Sequence, residues 1–341
     1  MAIPSSFKDE LVARSDIVDV VSDYVTLTPK GGSYWGLCPF HGEKTPSFHV
    51  LPDRQLYHCF GCGKGGGVVS FVMEMENLPF LDALRLLAKR AGMEFPEGDL
   101  DESSRRKRNR LLNLNKEAAR FFHSQLHSPV GQPGLDYLQR RGLSKGIMTR
   151  FGLGFAPDSW DSLIRAMAQK GYEKRDLLDA GLAVSNQKGS IYDRFRNRVM
   201  FPIIDLRGDV IGFGGRVLGE GTPKYLNSPD TPVFNKSRNL FALNLAKNTK
   251  LGRIVLTEGY MDTISLYQAG FDCAVASLGT SLTADHAKLL SRFTKEVVIC
   301  YDADSAGVQA ANRAIPMLEK TGLKVKVLRV TGAKDPDEFL R

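Results

Sequence analysis

The chain has no apolar run at its N-terminus, no stretch of about 18 uninterrupted apolar residues, no internal repeat and no low-complexity tract. A secretory signal and a membrane-spanning helix are therefore not expected, and a solenoid is not indicated. Cysteine is scarce: five in 341 residues, an odd count that makes a poor disulfide framework and favours metal binding in a cytosolic chain. Acid is also short, with 38 Asp and Glu against 46 Lys and Arg, which leaves a net charge of +8. A surplus of that sign suits a polyanionic partner, although solubility alone also accounts for it. Against these absences, 43% hydrophobic and 25% charged residues are ordinary for a folded protein, and 341 residues are enough for two or three domains.

The most informative segment is Val297-Val298-Ile299-Cys300-Tyr301-Asp302-Ala303-Asp304-Ser305-Ala306-Gly307. An apolar run leads straight into two aspartates spaced i, i+2, and in an extended strand such residues point the same way. Two converging carboxylates repel unless a cation lies between them, and a hard ion such as Mg²⁺ fits best. The surrounding sequence alternates strand and helix. Strands are predicted at 253–257, 273–277, 296–301 and 324–330, and helices at 260–269, 282–293 and 305–321. That order predicts a parallel sheet covered on both faces, with ligands at the carboxyl ends of its strands. Glu258 follows the first strand, Asp302 and Asp304 the third, and Asp335 and Asp337 the fourth, which gathers acids at one sheet edge.

Cys38-Pro-Phe-His41 and Cys59-Phe-Gly-Cys62 are two ligand pairs separated by residues 42–58. Three thiols and one imidazole make a closed tetrahedral zinc site, structural because no position remains for water or substrate. His49 and His58 are substitute ligands of lower merit. Phe48–Pro52 and Gln55–His58 read as two strands of a zinc ribbon. Its aromatics (Tyr34, Trp35, Phe40, Phe48, Tyr57, Phe60) interleave with Lys30, Lys44, Arg54 and Lys64. Such a mixture stacks on single-stranded nucleic acid, and it equally serves to fill a small core. The glycine-rich stretch 61–67 lacks the ending of a phosphate loop and reads as a flexible exit from the second ligand turn.

In the middle of the chain, Asp193-Arg-Phe-Arg-Asn-Arg-Val-Met-Phe-Pro-Ile203 alternates Arg194, Arg196 and Arg198. At period two these arginines fall on one strand face, with Phe195 on the other, which suits a phosphodiester backbone or a triphosphate. Arg216, Lys224 and Lys236 extend the basic set. Residues 101–115, with the run Arg105-Arg-Lys-Arg108, read as a basic linker leading into a helix.

Glu258-Gly followed by Asp302-x-Asp304 resembles the Toprim fold. With the Cys-His-Cys-Cys ribbon, the arginine segment and Thr222-Pro-Lys-Tyr-Leu-Asn-Ser-Pro229, the chain over essentially its whole length resembles the bacterial replicative DNA primases (DnaG type). That resemblance implies a multidomain α+β and α/β protein. It would have a template-binding zinc ribbon (1–100), the linker (101–115), a basic α+β subdomain of an RNA polymerase domain (116–245) and a Toprim parallel-sheet subdomain (246–341). It implies that short RNA primers are made on single-stranded DNA from ribonucleoside triphosphates in the cytoplasm, at the replisome. It implies Glu258, Asp302, Asp304, Asp335 and Asp337 as Mg²⁺ or Mn²⁺ ligands, with Glu258 partly an acid/base group. Arg194, Arg196, Arg198, Lys224 and Lys236 would contact nucleotide or template. The family continues beyond the position of Arg341 into further helices and a helicase-binding domain, so the chain is expected to be a fragment. Two other readings remain: a zinc-plus-Toprim DNA-binding module without catalysis, and a Toprim nuclease or topoisomerase.

Overall fold

The computed structural model describes residues 3–76, 78–96 and 99–341, apart from the side chains of 99–102. The chain divides into two compact units, 1–105 and 106–341.

In the first unit, α1 (Ser5–Arg14) and α2 (Ile17–Ser22) precede a five-stranded antiparallel sheet of β1 (Thr28–Lys30), β2 (Ser33–Gly36), β3 (Phe48–Leu51), β4 (Leu56–Cys59) and β5 (Gly65–Gly66), in sequence order. Asp16 caps α2 by accepting from the Val18 and Asp19 amides. Period two sorts the strands: Phe48, Val50, Tyr57 and Cys59 are buried, while His49 and His58 face outward. α3 (Val68–Glu76) and α4 (Phe80–Arg90) contribute Phe71, Leu84 and Leu87 to the buried side. The glycine stretch read as a flexible exit is instead the short strand β5. Gly66 pairs with Tyr57 and Gly65 with His58, and the Cys59 amide donates to the Lys64 carbonyl at 2.7 Å. The absence of side chains lets the backbone lie against β4, where a Cβ on Gly65 would come within 3.0 Å of the Tyr57 carbonyl.

Residues 101–115, expected as a linker, lie within α5 (Asp99–Leu126). The second unit then continues with α6 (Gln132–Arg140), α7 (Lys145–Arg150), β6 (Gly154–Ala156), α8 (Ser162–Ala168) and α9 (Lys174–Asp179). Next come the hairpin β7 (Ala183–Ser185) and β8 (Ile191–Asp193), β9 (Arg198–Ile204), β10 (Val210–Val217) and β11 (Tyr225–Asn227). One antiparallel sheet has the order β11-β10-β9-β6.

After the short α10 (Leu243–Ala246), the regular alternation appears as expected: β12 (Ile254–Thr257), α11 (Tyr260–Gln268), β13 (Ala274–Ala276), α12 (Ala284–Ser291), β14 (Glu296–Ile299), α13 (Ser305–Glu319), β15 (Lys324–Val327) and α14 (Pro336–Phe339). The four strands are all parallel, in the order β13-β12-β14-β15. The first and third strands in sequence are thus neighbours, with Leu256 opposite Ile299. The chain leaves β12 toward one edge and β14 toward the other, so the carboxyl ends of these two strands form a topological switch point. α11 packs against β13 of the parallel sheet and reaches the four-stranded antiparallel sheet through Tyr260, which stacks on Phe201 of β9 at 4.9 Å and meets Phe241 edge-on at 4.7 Å.

Candidate functional site

Two sites emerge, one in each unit. In the ribbon, the ligand atoms of Cys38, His41, Cys59 and Cys62 all lie within 4.8 Å of one another. The Cys38 and Cys62 sulfurs are 3.8 Å apart, and His41 Nδ1 is 3.7 Å from the Cys59 sulfur. Tetrahedral zinc with Zn–S of about 2.3 Å and Zn–N of about 2.0–2.1 Å requires separations of about 3.8 and 3.6 Å, so the donor set fits the ion. Burial pushes the Cys38 thiol well above its ordinary range, and the adjacent Cys59 and Cys62 sulfurs add to it. A bound cation relieves both costs.

Glu43, which the sequence reading passed over, organises this site. Its carboxylate accepts from the Cys38 amide (2.6 Å), the Ser47 amide (3.2 Å) and the Ser47 hydroxyl (2.5 Å), and it lies 3.2 Å from His41 Nε2. With Nε2–H directed at Glu43, the Nδ1 lone pair faces the thiols.

The ribbon aromatics divide by strand face. Phe48 and Tyr57 belong to the core. Trp35, His49 and Phe60 form an outer ladder. Trp35 stacks on His49 at 4.4 Å and on Phe60 at 5.9 Å, Lys30 Nζ lies 5.8 Å over the Trp35 ring, and Phe60 is 65% exposed.

The second site occupies the switch point. Glu258 leaves β12, and its Oε1 accepts from the Asp302 amide at 3.1 Å. The two aspartates do not continue β14 as an extended pair. The strand ends at Ile299, Asp302 lies in the following loop, and Asp304 caps α13, its Oδ1 accepting from the Gly307 amide at 2.9 Å. Burial raises the Glu258 carboxyl above its usual range, with Asp302 and Asp304 adding repulsion. Burial also raises Asp302, reinforced by Asp335 and Asp304, while Lys334 and Lys224 pull it partway back. Asp262, on the first turn of α11, ends the acidic element Glu258-Gly-Tyr-Met-Asp262 but was not counted among the expected ligands. It is buried, and burial with the nearby Asp335 and Asp302 pushes it up to about 7. Its spacing of four from Glu258 was the available signal. The neighbouring aspartates thus raise the proton affinity of Glu258, Asp262 and Asp302, a repulsion that a cation would relieve, and the oxygen-rich donor set suits a hard one. Asp335 caps α14 through the Glu338 amide.

Asp337 departs from its expected place among the free ligands. It is buried, with Oδ1 accepting from the Ser265 hydroxyl at 2.7 Å and Oδ2 ion-paired with Arg141 and, at 3.5 Å, Arg341.

The arginine row is also corrected. Asn197 takes the left-handed conformation (φ 48°), which breaks the strand between β8 and β9. Only Arg198 lies in a strand. It is buried and donates to the Gly215 and Pro223 carbonyls, whereas Arg194 donates to the Asn227 carbonyl. Arg196 lies 4.1 Å over the Trp160 ring. The three remain close enough that Arg196 and Arg194, after burial, lower the proton affinity of Arg198. Arg216 sits over the rings of Tyr137 (4.8 Å) and Tyr225 (5.6 Å), and its Nε and Nη1 have no hydrogen-bond partner among the described residues. Lys224 is exposed, and the Lys236 carbonyl is held by His286 Nε2 at 2.9 Å.

A closed Cys₃His ribbon joined to a parallel sheet with acids at its switch point defines a zinc-ribbon Toprim protein. Its three segments match three families: CHC2 zinc finger over 3–103, DNA primase catalytic core N-terminal domain over 121–247, and Toprim-like over 255–340. The chain belongs to the DnaG-type DNA primase family. It is 48% identical over 330 residues to the DNA primase of Clostridium acetobutylicum, covering 96% of this chain and 55% of that one. With the DNA primase of Escherichia coli K12 it shares 44% identity over 348 residues, 99% of this chain and 60% of the relative. It therefore spans little more than half the length of these curated relatives. Among solved structures, the Aquifex aeolicus primase (zinc-binding and RNA polymerase domains) matches with 40% identity over 99% of this chain and 82% of that one, TM-score 0.64. A DnaG primase catalytic domain bound to ssDNA matches with 45% identity over 68% and 76%, TM-score 0.63. Among the described residues no helix is long and apolar enough to cross a membrane.

Proposed function

We propose that this chain synthesises short RNA primers on single-stranded DNA, extending a ribose 3′-hydroxyl onto the α-phosphorus of a ribonucleoside triphosphate with release of pyrophosphate. The observation that carries the reading is the joining of Glu258 to the Asp302 loop at the switch point, within the field of Lys224. Glu258, Asp262, Asp302, Asp304 and Asp335 would hold Mg²⁺ or Mn²⁺, which supplies charge stabilisation to the attacking and leaving oxygens. The protein's own part is positioning. Lys224 offers an exposed cation to the triphosphate beside the acids. Arg216, held over the Tyr137 and Tyr225 rings, adds its charge to the same region. Arg194, Arg196, Arg198 and Lys236 add positive potential along the same subdomain.

The ribbon would hold template through Trp35, His49 and Phe60, whose stacked faces take bases of any sequence, with Lys30 beside them for the backbone. Its zinc would be structural.

Incubation with single-stranded DNA, four ribonucleoside triphosphates and Mg²⁺ or Mn²⁺ tests the proposal. New short RNA supports it. Cut or relaxed DNA without RNA supports a nuclease or topoisomerase, and binding without any product overturns the catalytic reading for this chain.

A further inference from the structure

Asp337 looks like a fifth ligand by sequence, but every polar atom it has is engaged by protein. Its carboxylate is buried, with Oδ1 on the Ser265 hydroxyl and Oδ2 on Arg141 and Arg341. Its carbonyl accepts from Arg341 Nε at 3.3 Å. Its amide donates at 3.3 Å to Oδ1 of Asp262. Arg141 follows α6, Ser265 and Asp262 lie on α11, and Asp337 lies on α14. The residue therefore ties three elements together at one point. Asp302 and Asp335, whose side chains are partly exposed, lie near enough to Asp262 to raise its proton affinity.

We propose that Asp337 is a positioning residue and not a metal ligand: Arg141 pins its carboxylate so that its backbone amide orients Asp262 toward the cation. The inference rests on the reading of the switch-point acids as a divalent-metal site. A carboxylate committed to a guanidinium would have to give up that partner before it ligated anything, and a partly buried Arg141 would lose its ion pair. An amide fixed against Asp262 acts without any such exchange. It leaves Oδ2 as the oxygen directed away from α14, and it orients a ligand as outer-shell partners orient metal-binding side chains.

The two roles predict opposite effects of removing Arg141. If Asp337 is a ligand held in check by Arg141, then Arg141→Ala frees it, and Mn²⁺ affinity stays the same or rises. If Asp337 positions Asp262, then Arg141→Ala and Asp337→Asn each weaken Mn²⁺ binding about 10-fold or more, the usual cost of losing an outer-shell partner. The double variant is then no worse than the weaker single, and Arg141→Lys recovers part of the loss.

Mn²⁺ affinity is to be measured by electron paramagnetic resonance on the full chain without nucleic acid or nucleotide, with circular dichroism confirming the fold. Ser265→Ala removes one contact to Oδ1 without touching the ion pair. It gives a folded variant with a smaller loss in the same direction if either single variant fails to fold. Unchanged or tighter Mn²⁺ binding in Arg141→Ala, or in Ser265→Ala where that variant stands in, overturns the proposal. Absence of Mn²⁺ binding by the unmodified chain instead overturns the metal-site reading beneath it.

Discussion

The Asp302 backbone amide donates to Glu258 Oε1 across 3.1 Å, so the carboxylate that leaves β12 is held by the loop that leaves β14. One oxygen of Glu258 is thereby fixed and the other stays available. The register Leu256 opposite Ile299 brings the two loops to the same height at the switch point. A parallel pair of strands, each followed by an acid in the loop that leaves it, delivers this geometry without long side chains reaching across the sheet.

Asp304 does two jobs that substitution can separate. It caps α13 through the Gly307 amide, and its charge belongs to the acidic set. Asparagine caps a helix about as well as aspartate. Asp304→Asn is expected to melt within a few tenths of a kcal/mol of the unmodified chain and to lose primer synthesis on the order of 100-fold or more, as when an electrostatic contact to a transition state is deleted. Single-stranded DNA affinity should hold within about twofold, because the lost charge is negative and lies at the metal site. Primer synthesis at the unmodified rate would remove Asp304 from the chemistry.

Elemental analysis of purified chain should give one zinc per molecule. Glu43→Gln leaves all four ligands in place but weakens the charge that holds His41 with Nδ1 facing the thiols. Zinc affinity in competition with a chelator is expected to fall about 10- to 100-fold. An unchanged affinity would show that Glu43 serves only the loop, through Ser47 and the Cys38 amide.

Much of this molecule was legible in its sequence because buried parallel strands are apolar runs and ligand pairs keep their spacing in any fold. The zinc set and the β12 and β14 acids needed nothing more. What escaped depends on partners far away in the chain. Arg194 and Arg198 read as a row of exposed cations because nothing local announced that the carbonyls of Gly215, Pro223 and Asn227 would receive them. One left-handed residue, Asn197, broke the assumed period. Asp337 read as a free ligand because Arg141 lies 196 positions earlier. The ribbon aromatics were separable in principle, since Phe48 and His49 are adjacent on one strand and must face opposite ways.

That separation makes a test for the ribbon. Trp35→Ala and Phe60→Ala remove outward rings and should each weaken single-stranded DNA binding by about 1–3 kcal/mol per lost base stack, with little change in melting temperature. Phe48→Ala empties the core and should cost about 3–5 kcal/mol of stability. Equal effects of the three on melting, with none on DNA affinity, would count against a stacking surface.

His286 gives the second unit a pH dependence independent of metal. It is fully buried, its Nδ1 accepts from the Thr283 amide at 3.2 Å, and its Nε2–H donates to the Lys236 and Asn239 carbonyls. Burial lowers its proton affinity, against the pull of those carbonyls. The unfolded chain takes up a proton near pH 6.5 and the folded chain only at lower pH. Stability is therefore complete above pH 6.5 and is lost as pH falls below it, with a slope of at most about 1.4 kcal/mol per unit. Denaturant melts at pH 7.5 and 5.5 should show a smaller acid loss in His286→Gln than in the unmodified chain. Parallel losses would place the acid sensitivity elsewhere.

Gly307 should reverse the usual effect of glycine-to-alanine exchange in a helix, which favours alanine by about 1 kcal/mol. It lies in the first turn of α13, under the acidic loop. A Cβ there would stand 2.2 Å from the Asp302 carbonyl oxygen and 2.9 Å from Glu258 Oε1. Neither atom can retreat cheaply, because the Asp302 amide holds that same glutamate oxygen. Gly307→Ala must push the loop off the helix. It is expected to lower stability by about 1–3 kcal/mol, the ordinary cost of overpacking, and to weaken Mn²⁺ binding as Glu258 and Asp302 move apart. A variant that melts higher than the unmodified chain and binds Mn²⁺ equally would show that the loop and the helix terminus are not coupled through this contact.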